Sequence, residues 1–353
     1  MGGKGRVAVA ALFVVLVHLA AAEVAARAFW RLGYGVPIAH PDRILYAYYP
    51  ELREVDEARP TRDDRFYDVL LLGGSVLNRG WSAIEEDLRE RLSRRLRREV
   101  RVFNLAVRGH TSRDSLLKYE ALGAARFELV VCYDGINDTR ASNAPPAVFR
   151  PDYGHMPWYG VLNALAPYHG SARFALPYTV RWLGIRSRSL TVTDRSVSPG
   201  LPRPEWLPHG KDARGVASFE ANLRALLDQA AARKDRVVLM TFATYVPADY
   251  SPEAFTARRL DYGLHLSPLE IWGRRDDVLA AVALQNDVVR RLAAERENVV
   301  FVDEARLMAG GARTFNDACH LTVLGSVEFV DHLMDALEPT LVPPGLTTSQ
   351  AAP

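Results

Sequence analysis

The chain has 353 residues, 48% of them hydrophobic, which is enough to fill one large core or two modest ones. Its 44 Lys and Arg against 42 Asp and Glu give a formal net charge of +2, so composition offers no reason to expect a nucleic-acid partner. With only two cysteines, Cys132 and Cys319, a disulfide framework is excluded, but the cellular compartment stays open.

The amino terminus has the pattern of an export signal. Lys4 and Arg6 precede an apolar stretch over 7–22. A cleaved signal peptide is one interpretation, with the three alanines at 20–22 as the cleavage site. We favour the other, an uncleaved signal anchor over 1–34, because apolar residues resume beyond the alanines and aromatic residues follow where the far membrane interface would lie. Both interpretations place the rest of the chain outside the cytoplasm.

The run over 68–75, Asp-Val-Leu-Leu-Leu-Gly-Gly-Ser, follows a lead-in over 35–66 that we expect to be irregular, and it organises the rest of the chain. It predicts a buried parallel strand over 69–72, because the residues are apolar throughout and end at turn formers. The glycine pair permits a tight turn with positive φ, which brings backbone N–H groups close to Ser75. The residues at 82–85 have the form of a capping box and predict that a helix starts there.

Four further strands are predicted to alternate with helices. The strands are expected at 99–103, 127–133, 236–241 and 298–303, and the helices from 111 or 112, around 219–227, over 278–295 and over 322–337. Insertions are expected at about 139–214 and 245–275, and residues 341–353 are expected to be disordered. We therefore predict an α/β fold with its domain over 67–340. It is a doubly wound, flavodoxin-like, three-layer α/β/α arrangement around a mainly parallel five-stranded sheet.

Glycines and polar residues follow the predicted strands where the strands end. Ser75 follows the first strand, Gly109 the second, Asn137 the third, and Asp317 with His320 the fifth. Parallel packing brings these positions to one edge of the sheet, where open α/β folds bind their ligands. The first insertion is expected to pack over that edge, with its aromatic residues serving as local core more than as a sugar-stacking platform.

These residue types suit acyl transfer, which requires a nucleophile, a base, a group that orients the base and donors for a developing oxyanion. Ser75 is the candidate nucleophile and His320 the candidate base. Asp317 precedes His320 by three positions, close enough on one turn to reach the imidazole and fix its tautomer. The backbone N–H groups of Ser75 and Gly109 and the side-chain amide of Asn137 are the candidate oxyanion-hole donors.

Four blocks of the sequence resemble those of the SGNH (GDSL-type) hydrolase superfamily. Residues 72–76 are similar to its first block, Gly109 to its second, 135–138 to its third and 317–320 to its last. The resemblance implies a serine esterase or acyl-transfer mechanism that uses Ser, His and Asp without a metal or other cofactor. In the first block the family most often has Asp where this chain has Gly74, a departure that removes a carboxylate beside the nucleophile.

Other chemistries have less support in the sequence. Cys319 adjoins His320, but nothing in the sequence indicates a lowered thiol pKa, so we do not expect a thiol nucleophile. Asp134 and Asp138 lie on one loop and are expected to form a turn rather than to bind a cation. The histidines outside the proposed set lack ligand-like spacing, so no metal is expected; they include His110, His155, His209 and His265.

The sequence therefore predicts a membrane-anchored, extracytoplasmic serine esterase that forms an acyl-enzyme at Ser75. Its substrate is expected to be a small-molecule, glycan or lipid ester, such as an O-acetylated glycan or a cell-envelope ester. Two alternatives stay open. One is an acyltransferase that uses the same residues to pass the acyl group to a glycan hydroxyl. The other is a catalytically silent envelope protein that binds glycan in the same cleft, against which the complete catalytic set argues.

Overall fold

The computed structural model of the chain describes residues 3–62, 65–191 and 202–341. The strands are β1 (Tyr67–Gly73), β2 (Val100–Asn104), β3 (Leu129–Tyr133), β4 (Arg236–Met240) and β5 (Val299–Val302). The α-helices are α1 (Gly3–Tyr34), α2 (Leu52–Ala58), α3 (Ile84–Leu96), α4 (Ser112–Ala121), α5 (Pro157–Leu165), α6 (Leu176–Thr191), α7 (Gly215–Arg233), α8 (Pro252–Thr256), α9 (Arg275–Ala294), α10 (Glu304–Leu307) and α11 (Val323–Leu337). Short 3₁₀ helices lie at Pro41–Ala47, Ser75–Leu77, Ile136–Ser142, Ala166–Tyr168, Leu207–Asp212, Leu269–Ile271 and Glu338–Thr340.

The five strands form one parallel sheet in the order β2-β1-β3-β4-β5. This is the doubly wound, flavodoxin-like order, so the predicted fold class is confirmed. Every residue of β1 and β3 is buried, as expected for central strands covered by helices on both faces. The strand order reverses beside β1, and ligands of such folds bind at the carboxyl ends of the strands at this point.

Successive residues of β1 pack on opposite faces of the sheet. Val69 and Leu71 lie in a core cluster with α3 and α11, whereas Leu70 and Leu72 lie in a second cluster with α4 and α7. Fully burying each such side chain contributes about 1.5–3 kcal/mol. The apolar run that predicted the strand is therefore needed on both faces, and it holds the turn after β1 in a fixed place.

Helix α3 begins at Ile84 without the predicted capping box. Its N-cap residue is Ala83, and no side chain caps the helix. The carboxylate of Glu85 instead accepts hydrogen bonds from Asn104 Nδ2 at 2.8 Å and Arg79 Nε at 2.6 Å. The predicted capping box at 82–85 is wrong. A capping box requires the Glu85 carboxylate to bond the helix N-terminus, but this carboxylate is bound to Asn104 and to the charged Arg79 instead.

Helix α4 begins where the sequence predicted. Thr111 is its N-cap, and Thr111 and Asp114 form a reciprocal capping box.

The lead-in over 35–66 was predicted to be irregular, but the structure shows that much of it is helical. It contains the 3₁₀ helix Pro41–Ala47 and helix α2, and Leu52 and Val55 of α2 are buried in the sheet's second core cluster. These apolar residues lie among charged ones, which concealed the helix from the sequence pattern.

The first insertion packs against the loops that follow β2 and β3. Tyr153 and Tyr159 are buried in the second core cluster. The Tyr159 hydroxyl lies 2.8 Å from Thr111 Oγ1, and the Tyr153 hydroxyl donates to Asp138 at 2.8 Å. For these two aromatic residues, the predicted role as local core is confirmed.

Helix α1 is both long and partly docked. The segment Lys4–Tyr34 has a window of mean hydropathy 2.4, none of it buried, and is long and apolar enough to cross a membrane. Beyond that window, Trp30 is buried and donates its indole N–H to Thr179 of α6 at 2.8 Å. The carboxylate of Glu23 accepts the backbone N–H groups of Ala175 and Leu176, each at 2.8 Å. The predicted disordered tail lies, from residue 342 onward, outside the part of the chain that the structure describes.

Candidate active site

The turn after β1 places Ser75 between the ends of β2 and β3. Gly73 has a φ of +156°, and a Cβ on it would lie 2.5 Å from the carbonyl oxygen of Tyr133 on β3. Only glycine allows the two strands to approach this closely here. On the other side, Asn104 at the end of β2 donates its side-chain amide to the Leu77 carbonyl at 2.7 Å. The turn is thus fixed by both neighbouring strands.

Ser75, His320 and Asp317 form a continuous hydrogen-bond chain. Ser75 Oγ lies 2.8 Å from His320 Nε2, and His320 Nδ1 lies 2.7 Å from Asp317 Oδ2. The Asp317 carboxylate also accepts the backbone N–H groups of Ser267, Cys319 and His320, each at 2.9 Å. Because these bonds hold the carboxylate, it can orient the imidazole with Nδ1–H toward Asp317 and Nε2 free to accept the serine proton.

Trp81 and Arg108 form a layer over the imidazole. The Trp81 ring lies 4.3 Å from the His320 ring, centroid to centroid, at an interplanar angle of 38°. The guanidinium of Arg108 lies 5.7 Å from the Trp81 ring. Neither residue is predicted from the sequence, because nothing in the local pattern shows that these loops meet over the histidine.

Two hydrogen bonds fix the side-chain amide of Asn137. Its Nδ2 donates to the carbonyl of His110 at 2.9 Å, and its Oδ1 accepts the indole N–H of Trp272 at 2.9 Å. A Cβ on Gly74 would lie 2.7 Å from Asn137 Nδ2, so the NH₂ group lies beside the residue before Ser75. One Nδ2 hydrogen stays available for a ligand. The role of Trp272 is not predictable from the local sequence, since Trp272 lies in the second insertion, far from Asn137 along the chain.

The loop after β2 carries the other predicted donor. Gly109 has a φ of +78°, and its carbonyl accepts a hydrogen bond from the Arg140 guanidinium. Within the described part of the chain, the backbone N–H groups of Gly109 and Ser75 donate to no protein acceptor. The structure therefore brings the loops of all three predicted oxyanion-hole residues together and leaves their donors able to bind a ligand.

A buried lysine makes hydrogen bonds to the loop that follows β2. Lys118 is 1% exposed, and its ammonium lies 2.8 Å from His110 Nδ1 and 2.6 Å from the Glu51 carboxylate. It also donates to the carbonyl of Leu105. Burial lowers the pKa of His110 to about 3, so this imidazole is neutral and can accept the lysine hydrogen bond. The network fixes the residues on both sides of Gly109.

The carboxylate of Asp138 organises the loop after β3. Asp138 accepts hydrogen bonds from the backbone N–H of Ser112 at 3.0 Å and from the Tyr153 hydroxyl at 2.8 Å, which joins the loop to α4 and to the first insertion. Burial raises the pKa of Asp138 to about 6 and that of Asp134 to about 7. The sequence predicted a turn-forming role for Asp138, but its carboxylate instead makes long-range hydrogen bonds to α4 and to the first insertion.

One cluster of potential metal ligands lies in the described residues. Asp317, Cys319 and His320 place ligand atoms within 4.8 Å of one another. Burial raises the pKa of the Cys319 thiol well above its usual value, so the thiol stays protonated and is a poor ligand or nucleophile. Asp317 and His320 already bind each other. The hydrogen-bond chain to Ser75 accounts for this cluster, and we assign no metal to it.

A parallel α/β sheet with a Ser-His-Asp hydrogen-bond chain at its carboxyl edge defines a serine-type hydrolase architecture. Within that class, the model of the GDSL-like lipase/acylhydrolase family matches residues 71–326. The chain belongs to this family, and it is an SGNH-type enzyme acting on ester bonds.

Solved structures with a similar arrangement are distant in sequence. A GDSL-like lipase from Bacteroides thetaiotaomicron matches with a TM-score of 0.44 and 15% identity, over 83% of this chain and 98% of that chain. The acetylxylan esterase Axe2 from Geobacillus stearothermophilus matches with a TM-score of 0.42 and 16% identity, over 79% of this chain and 97% of that chain. A search of curated protein sequences finds no match.

Proposed function

We propose that this enzyme is an extracytoplasmic serine esterase, attached to the membrane by α1, that hydrolyses carboxylic esters through an acyl-enzyme at Ser75. The observation that carries the proposal is the hydrogen-bond chain from Ser75 Oγ through His320 to Asp317, with heavy-atom distances of 2.8 and 2.7 Å. These distances suit proton transfer from the hydroxyl to the imidazole.

In the first half of the reaction, Ser75 Oγ attacks the ester carbonyl carbon while its proton passes to His320 Nε2. The carbonyl oxygen becomes an oxyanion, which the N–H groups of Ser75 and Gly109 and the Nδ2 of Asn137 stabilise. The intermediate then collapses, and the alcohol leaves with the proton from His320. Water attacks the acyl-enzyme in the same way, with His320 as base, and the carboxylic acid leaves. Asp317 stabilises the imidazolium formed in each half.

The attachment to the membrane rests on α1. Lys4 and Arg6 lie at its start, on the cytoplasmic side according to the positive-inside rule, so the catalytic domain lies on the opposite side. The helix is unbroken through the alanines at 20–22, and Glu23, one residue later, binds the first turn of α6. This continuity supports an anchor that stays uncleaved. The intact mass of the purified protein tests this, because cleavage would remove the first 22 residues.

An exported esterase on a membrane acts on envelope material, and we propose O-acylated glycans or other cell-envelope esters as the substrate class. The first insertion supplies aromatic surface beside the site, including Trp158, which is 38% exposed. Such a ring can pack against a sugar or an apolar group of the substrate.

The test of the esterase uses the full-length protein in detergent micelles, with p-nitrophenyl acetate as substrate and a fluorophosphonate as active-site label. Ser75→Ala and His320→Ala should each lower kcat by about 10⁴-fold or more, and Ser75→Ala should abolish labelling. Ser171→Ala is the matched control, because Ser171 is exposed and its hydroxyl donates to the nearby Pro167 carbonyl. A wild-type protein with neither turnover nor labelling would contradict the proposal.

A further inference from the structure

A pocket of about 530 Å³ adjoins the candidate site and has no role in the mechanism above. Gly109 lines the pocket and also belongs to the proposed oxyanion hole. Arg108 lines it too, and the guanidinium of Arg108 lies over Trp81, whose ring covers His320. A ligand in this pocket would therefore lie next to the reacting atoms.

The pocket has a positive lining. Arg108, Arg140 and Arg186 line it, and no Asp or Glu does so among the described residues. His110 also lines it and is neutral because burial lowers its pKa to about 3. Asp114 does not line the pocket, and its carboxylate accepts hydrogen bonds from the side chains of Tyr49 and Trp158. The Arg140 guanidinium already donates to the uncharged carbonyls of Gly109 and Asn137, which leaves its positive charge in place. Arg108 is exposed and is the guanidinium that a ligand can reach. Guanidinium groups bind phosphate, so this lining suits a phosphate-bearing ligand.

The remaining walls are apolar and aromatic. Tyr34, Tyr48 and Trp158 line the pocket together with Met156 and Val161. Trp158 is held in place by an indole hydrogen bond to Asp114 at 2.9 Å. A pocket that combines arginines with apolar walls suits an amphiphile with an anionic head group better than a free, uncharged sugar.

The pocket lies close to the end of the membrane anchor. Tyr34 is the last residue of α1, and the segment from Glu23 to Tyr34 packs on the domain through Trp30 and Arg27. At a rise of about 1.5 Å per residue, these 11 steps place Tyr34 about 16 Å from the level of Glu23, where the first apolar stretch ends. Because α1 is docked rather than flexible, the pocket stays within reach of the membrane surface.

We propose that this pocket binds the phosphate-bearing head group of a membrane-lipid ester, which reaches Ser75 from the membrane surface that α1 crosses. The inference rests on the proposed function, since Ser75 must cleave the ester. The reaction is the same hydrolysis: the bond between the acyl carbon and the lipid oxygen breaks, the acyl carbon gains the hydroxyl of water, and the lipid oxygen takes up the remaining proton of that water.

The first experiment measures binding without turnover. Full-length Ser75→Ala protein in detergent micelles is titrated by calorimetry with dihexanoylphosphatidylglycerol and with uncharged dihexanoylglycerol. The anionic lipid should bind about tenfold more tightly, and adding Arg108→Gln should remove that preference. Arg259→Gln, an exposed arginine in the second insertion, is the matched control and should retain it. Equal binding of both lipids, or an equal preference in the pocket and control variants, would overturn the proposal.

The second experiment identifies the source of the substrate. A flexible Gly-Ser linker of about 20 residues is inserted between Ala22 and Glu23, which separates the span from the docked part of α1. Hydrolysis of phosphatidylglycerol in vesicles should fall about tenfold relative to the unmodified chain, while hydrolysis of soluble dihexanoylphosphatidylglycerol should stay the same. Unchanged vesicle turnover would reject the membrane as source. If the wild type binds the anionic lipid but turns over no ester, the esterase proposal fails, whereas turnover without the binding preference refutes the pocket proposal alone.

Discussion

Trp272→Phe tests whether the orientation of the Asn137 amide matters for catalysis. The substitution removes the indole N–H that donates to Asn137 Oδ1 at 2.9 Å and keeps an aromatic ring in a site that is 2% exposed. It leaves the second bond, from Asn137 Nδ2 to the His110 carbonyl. We therefore expect the amide to keep its orientation but to lose part of its rigidity.

The size of the effect follows from these two bonds. Removal of a whole oxyanion-hole donor costs about 2.7–4 kcal/mol, which is the loss expected for Asn137→Ala. A neutral hydrogen bond contributes about 0.5–1.5 kcal/mol net, so the loss of the Trp272 bond should lower kcat by roughly twofold to twelvefold. KM should change little, because the donor acts on charge that develops in the transition state.

The assay is steady-state hydrolysis of p-nitrophenyl acetate by the full-length protein. Trp206→Phe is the matched control, because Trp206 is 7% exposed and packs in the other core cluster. In the double variant Trp272→Phe/Asn137→Ala, the tryptophan substitution should cause no further loss, since it acts through Asn137. A kcat for Trp272→Phe within twofold of wild type, or an equal loss in Trp206→Phe, would refute the reasoning.

Three further predictions concern other parts of the chain. Asp317→Asn should lower kcat by about 10⁴-fold with the fold retained, as measured by hydrolysis and circular dichroism, because the amide no longer holds the imidazole tautomer. Burial raises the pKa of Asp134 from 3.8 to about 7, so its contribution to stability is present below pH 3.8 and is lost as the pH rises toward 7. Asp134→Asn should therefore raise the urea midpoint at pH 7 and flatten its pH dependence over that window. Trp30→Ala should cost about 3–5 kcal/mol of unfolding free energy in thermal or urea melts, because it leaves a cavity between α1 and α6.

Much of the fold and of the candidate site follows from local sequence signals. The strands are short apolar runs that end at glycine or polar residues, and each lies within two residues of its predicted bounds. Parallel order then brings Ser75 and His320 to one edge without any knowledge of side-chain contacts. Asp317 and His320 are three residues apart, so their contact is also local. These residues could be predicted because chain spacing and strand order alone determine their proximity.

The residues that the sequence did not reveal make long-range contacts. Trp272 binds Asn137 across a separation of 135 residues, and Trp81 meets His320 from a different loop. An isolated tryptophan in a loop has the same local pattern whether it orients a catalytic amide or fills a core. The failed capping box at 82–85 has the same cause, because Glu85 binds Asn104 from the next strand.

Gly74 is the position at which this chain departs from the commonest first block of its superfamily, and the structure gives a physical reason for the glycine. A Cβ on Gly74 would lie 2.7 Å from Asn137 Nδ2 and 3.4 Å from the His110 carbonyl oxygen. The first distance is shorter than a van der Waals contact, and both atoms belong to the hydrogen bond that holds the amide. A side chain at this position therefore requires Asn137 to move.

Gly74 and Trp272 consequently act on the same amide from opposite sides. Gly74→Ala should displace Asn137 Nδ2 and strain its bond to Trp272, and we expect kcat to fall about tenfold to a hundredfold. Because both substitutions perturb one group, the loss in Gly74→Ala/Trp272→Phe should be smaller than the product of the single losses. If the losses instead multiplied, the glycine would act on Ser75 directly, and the packing against Asn137 would not explain the departure from the superfamily's first block.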